Sequence, residues 1–78
     1  MSRLLPKPTR EVERLLASFG FRFGRHGKED VWVRDEDGRV VILPRSRGSS
    51  HPVPVGTLKA ILLQAGISRE QAVDFWSR

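Results

Sequence analysis

The side chains best suited to chemistry in this chain of 78 residues are its cations and one tryptophan. Arg39, Arg45, Arg47, Lys59 and Arg69 fall between Asp37 and Glu70, an interval that holds no acid, while nine basic and nine acidic residues cancel outside it. The net charge of +5 is therefore concentrated in one region, which suits a nucleic acid first and an acidic protein second. A mildly basic surface without a partner is the plainer reading. Trp32, with Arg34 two residues on and Arg22 on the preceding apolar segment, could stack on an unpaired base or anchor a protein partner. Its plainer role is packing against Val41 or Leu43 on the open face of a sheet. His26 and His51 form no ligand cluster, and Gly48-Ser49-Ser50-His51 has no companion acid at a recognisable spacing, so neither a metal nor a cofactor is expected.

These groups need a scaffold, and the stretch from Gly27 to Arg47 supplies its centre. Val31 and Val33 alternate with Trp32 and Arg34, Asp35-Glu36-Asp37-Gly38 makes a turn, and Arg39 to Leu43 returns to stop at Pro44. Asp-Gly between β-branched runs is a strong hairpin signal, and a proline closes a strand because it has no N–H for the ladder. Before the hairpin, Val12, Leu15, Leu16 and Phe19 follow helical spacing, with Thr9 as the expected N-cap and Gly20 as the stop. Phe21 and Phe23 alternate with Arg22 and Gly24 and read as a short strand. After an irregular loop from Arg45 to Val55, Leu58, Ile61, Leu62 and Ala65 form a second helical stripe ended by Gly66. Ser68-Arg69-Glu70-Gln71 matches a capping box and opens a last short helix.

The expected fold is α+β, in the order α-β-β-β-α plus a short C-terminal helix. Helices covering one sheet face would bury Phe21, Phe23, Val31 and Val33 against Leu15, Leu16, Ile61 and Leu62, leaving Arg22, Trp32 and Arg34 on the open face. Residues 1–8, with Pro6 and Pro8, are expected to be a flexible lead-in, and 9–78 a single domain. A chain this short has room for one small core, so a surface site is expected rather than an enclosed cavity. It has no cysteine for a disulfide or thiolate metal site. The absence of an apolar run of ~20 residues argues against a membrane span, and a cytoplasmic location is expected.

The order and spacing of several short pieces resemble the HicA family, the mRNA interferase toxins of HicA–HicB type II toxin–antitoxin pairs. They are Phe19-Gly20-Phe21, the Gly27-to-Trp32 entry to the hairpin, Asp37-Gly38-Arg39, Leu43-Pro44-Arg45, Pro54-Val55-Gly56-Thr57-Leu58 and Gln64-Ala65-Gly66-Ile67-Ser68. The likeness runs from about Thr9 to the C-terminus. It implies a fold like the double-stranded-RNA-binding domain, metal-independent and ribosome-independent cleavage of mRNA, and a HicB-like antitoxin as partner.

The family carries its histidine at the start of the second strand, where this chain has Glu29, with His26 three residues earlier. The resemblance then points to Glu29 and His26 as catalytic residues, and the chain's own cations and aromatic, Lys28, Trp32, Arg34, Arg45, Arg47 and Lys59, are the expected RNA-binding residues. A catalytically silent relative that binds only RNA or the antitoxin is the alternative.

Overall fold

The computed structural model describes residues 3–27, 29–44 and 52–77. In chain order they form β1 (Lys7–Pro8), α1 (Thr9–Ser18), β2 (Arg22–His26), β3 (Glu29–Arg34), β4 (Arg39–Pro44), β5 (Pro52–Val53), α2 (Val55–Ala65) and α3 (Arg69–Trp76). The molecule is α+β: a three-stranded antiparallel sheet in the order β2-β3-β4, with helices against one face. The expected α-β-β-β-α order is observed, with β1 and β5 added as a two-residue antiparallel pair.

Both helical stripes are buried where the apolar spacing places them. Val12, Leu15 and Leu16 of α1 and Leu58, Ile61, Leu62 and Ala65 of α2 form most of the core, with Phe21, Val41, Leu43, Ile67 and Ala72. Leu63, off the stripe, is exposed. Gly66 ends α2 in the left-handed region at φ 71°, and an added Cβ there would meet the Arg39 guanidinium at 2.8 Å. The capping box of α3 is present: Gln71 N donates to Ser68 Oγ at 3.0 Å, and Ser68 N donates to Gln71 Oε1 at 2.9 Å. Thr9 does not cap α1, because the helix already begins there and Pro8 occupies the N-cap without a side-chain bond.

Part of the segment before α1 packs against the rest of the protein. Lys7 and Pro8 pair with Val53 and Pro52, and Leu4 is buried in the core. Prolines are tolerated at such short pairings because they need few ladder donors.

The parity of the hairpin is the reverse of the expectation. Trp32 pairs with the fully buried Val41, and Asp30 pairs with Leu43, so alternate residues of β3 starting at Asp30 face the helices. Val31 and Val33 instead pair with Ile42 and Val40, which are 40% and 47% exposed on the open face. Phe23 pairs with Trp32 and meets it edge-on at 5.7 Å, yet stays 46% exposed at the sheet margin. A register shift between Phe23 and Arg25 then moves Arg25 to the open face opposite Val31.

One consequence concerns Trp32, which is half-buried and packed against the core, with an indole Nε1 that finds no acceptor among the described residues. Trp32→Ala is expected to cost about 2 kcal/mol or more in equilibrium denaturation. Trp32→Phe should cost much less, because it keeps the ring and removes an orphaned donor. Equal losses in the two variants would mean the ring is not a core element.

Candidate functional site

Among the described residues, the helices leave one face of the sheet uncovered. Its middle is aliphatic, with Val31, Val33, Val40 and Ile42 contributed by β3 and β4. Arg22 and Arg25 of β2 stand along one margin through their pairing with Val33 and Val31. Glu29 opens β3 at the end of the same face, opposite Pro44, and is exposed. Gly24 keeps the neighbouring backbone close, since an added Cβ would sit 3.2 Å from the Val31 carbonyl oxygen.

The expected site residues separate into four groups. Glu29 lies on the open face, and Lys59 is exposed on α2. Trp32 and Arg34 are not on the open face. Arg34 commits its guanidinium to partners within the chain: Nε and Nη2 donate to Asp37 at 3.0 and 2.7 Å, Nη1 donates to the Phe19 carbonyl at 2.9 Å, and the group lies 4.7 Å from the Phe21 ring centre. Lys28, Arg45, Arg47 and His51 lie outside the described residues. His26 is placed by its backbone only, as the last residue of β2 and the register partner of Asp30. The register therefore does not pair positions 26 and 29.

Sequence reasoning missed the margin arginine Arg25, because the shift at Gly24 changes which residues of β2 share a face. It also missed the carboxylates behind the sheet end. Burial, and then the charge of Asp30, push the Glu13 carboxyl up from its ordinary range. Asp30 lies on the helix-side register of β3, so this acidic pair sits behind the edge that bears Glu29. Periodicity could not reveal it, since Glu13 reads as a solvated helix residue.

The turn has the strongest electrostatics. Asp37 accepts from the Arg34 side chain and from Arg39 N at 3.2 Å, and its carboxyl is pulled down to about 2, chiefly by the Arg34 hydrogen bonds. Asp35 is lowered in the same way by Arg22, whose Nε lies 2.8 Å from Oδ2. A depressed carboxyl contributes stability above its unfolded pKa and loses it as pH falls through the folded value. The turn is therefore expected to hold fully above about pH 4 and to weaken toward pH 2. An NMR titration of Asp37 should find its midpoint near the lower figure, and Arg34→Gln should return it toward the ordinary range. An unchanged midpoint in that variant would remove Arg34 as the cause.

Fold and surface together define a small basic α+β protein of the double-stranded-RNA-binding-domain kind, with a bare sheet face that is aliphatic in the middle and charged at its margins. The sequence profile described as HicA toxin of bacterial toxin–antitoxin matches residues 9–67. The chain belongs to the HicA toxin family. No curated protein matches it.

Proposed function

We propose that this protein is the toxin of a toxin–antitoxin pair, an mRNA endoribonuclease neutralised by a HicB-like antitoxin. Family membership over residues 9–67 carries the reading. RNA cleavage without a metal needs a base for the 2′-hydroxyl proton, an acid for the leaving 5′-oxygen, and cations on the phosphate. Glu29 takes the proton, His26 protonates the leaving oxygen, and Lys28, Arg45 and Arg47 hold the phosphate. With position 26 opposite Asp30 and Glu29 opposite Pro44 in the backbone register, this reading puts the reacting phosphate over the end of the sheet, where β2 leads into β3.

The antitoxin covers the open face. Aliphatic side chains left exposed at the centre of a face are the usual core of a protein interface, and a cover there also occludes Glu29. Trp32 is not the anchor of this interface, being on the helix side; Val40 and Ile42 take that place.

The deciding experiment is incubation of the purified protein, without partner and with chelator, with a long unstructured RNA. Cleavage supports the toxin reading. Binding without cleavage supports the second reading, a silent relative, which Glu29 favours by standing where the family has histidine. RNA affinity is expected to fall with salt, each phosphate contact on a single strand giving a log–log slope of about −0.7. Replacing Arg45 and Arg47 together should flatten that slope by about one to one and a half units. An unaltered slope would take both residues off the RNA.

A further inference from the structure

A cleft lies between the N-terminal segment and α3, walled by residues that all fall outside the family match of 9–67. Arg3, Leu4, Leu5 and Lys7 form one side, and Val73 and Trp76 the other, around about 300 Å³. The walls are held by contacts of their own. Leu4 is buried in the core, Lys7 and Pro8 are tied to β5, and the Trp76 indole Nε1 donates to the Glu11 carbonyl at 3.3 Å. The capping box fixes the start of α3.

The chemistry of the lining is apolar with two cations above it. Lys7 Nζ sits 5.3 Å from the centre of the Trp76 ring, and among the described residues neither Arg3 nor Lys7 has a carboxylate partner. Leu5 stands 53% exposed at the lip. Asp74, the acid nearest in sequence to these walls, lines a different depression with Ser18 and Phe75. A partner that fits must therefore bring an apolar side chain for the floor and negative charge for the rim. Single-stranded RNA fits less well. Base stacking needs an open aromatic plane, whereas Lys7 lies over the Trp76 ring and the indole N–H is already satisfied inward. The volume is at the small end of ligand pockets and suits one inserted side chain.

We infer that this cleft is a docking site for an acidic segment of a partner protein, which inserts an aliphatic or aromatic side chain between Leu4, Val73 and Trp76 while its carboxylates pair with Arg3 and Lys7. The site is separate from the open sheet face and requires neither cleavage nor the antitoxin.

The test uses the indole N–H resonances of the two tryptophans in ¹⁵N spectra of the full chain. The probe is a short synthetic peptide of Asp and Glu around a Leu-Phe pair. Saturable shifts of the Trp76 indole and the Leu4 and Leu5 methyls are expected, with the Trp32 indole unmoved. The double variant Arg3→Glu, Lys7→Glu should bind about tenfold or more weakly. Three results overturn the proposal: no shift with the acidic peptide, equal shifts when Lys replaces its acids, or stronger shifts at Trp76 with an oligouridine. The peptide arms use the unaltered chain, so they decide even if the variant folds poorly.

Discussion

Glu29→Gln is expected to slow RNA cleavage by about 10²-fold or more, and His26→Ala by a similar factor, the usual loss when a general acid or base is removed. The wild-type rate should then rise and fall with pH as a bell, and each variant should lose one limb. The reason is geometric as much as chemical. Glu29 is exposed at the start of β3, and position 26 is the last of β2, so the proposed acid and base belong to the two strand ends that the chain joins in sequence. The opposite outcome is equally definite. If the unaltered chain is inert and Glu29→His cleaves RNA and arrests growth, the protein is a disarmed member of its family, and the proton does not go to Glu29.

Ile42→Glu is expected to weaken antitoxin binding by about 100-fold or more, which is the loss of roughly 2.7 kcal/mol at the centre of an apolar contact. The side chain is 40% exposed and faces away from the helices, so the substitution should leave the fold intact, as thermal denaturation of the isolated toxin can verify. Val40→Glu should act in the same direction. Arg22→Ala, at the margin and already engaged with Asp35, should change affinity only a few-fold. An Ile42→Glu protein that binds its partner within about threefold of the original would place the interface elsewhere.

The element order was legible because each element carries a local signature: two helical stripes, two left-handed glycine stops, an Asp-Gly turn and a capping box. The faces of the sheet were not. In Val31-Trp32-Val33-Arg34 both parities contain apolar residues, and Val40-Val41-Ile42-Leu43 has no alternation at all, so nothing local says which side is inward. Packing decides it. Val41 and Leu43 fill the space against α2, and the ladder then assigns Trp32 and Arg34 to the same side. The arginine's planar group found its partners in Asp37 and the Phe19 carbonyl, a use that composition alone could not distinguish from RNA binding. Glu29 became a candidate through the resemblance to the family, whereas the placement of Arg25 on the open face depended on a register shift that leaves little trace in sequence. The pairing of Lys7–Pro8 with Pro52–Val53 was hidden because two-residue strands built on prolines have no periodicity to read.

The α2 residue Gln64 meets the outer strand of the sheet in two ways: its side-chain oxygen accepts from Ile42 N at 3.1 Å, and its carbonyl accepts from the Arg39 guanidinium at 3.0 Å. The strand so fastened carries four consecutive apolar residues, Val40 to Leu43, and it forms one rim of the sheet. Such strands are the usual nuclei of cross-β aggregation, because an unpaired rim offers both hydrogen bonds and sticky side chains to an identical neighbour. Here one backbone donor of that rim, Ile42 N, is taken while the side chains of Val40 and Ile42 remain exposed. A second copy pairing along β4 would lose that rung of the ladder, and a partner that approaches broadside can still use the face.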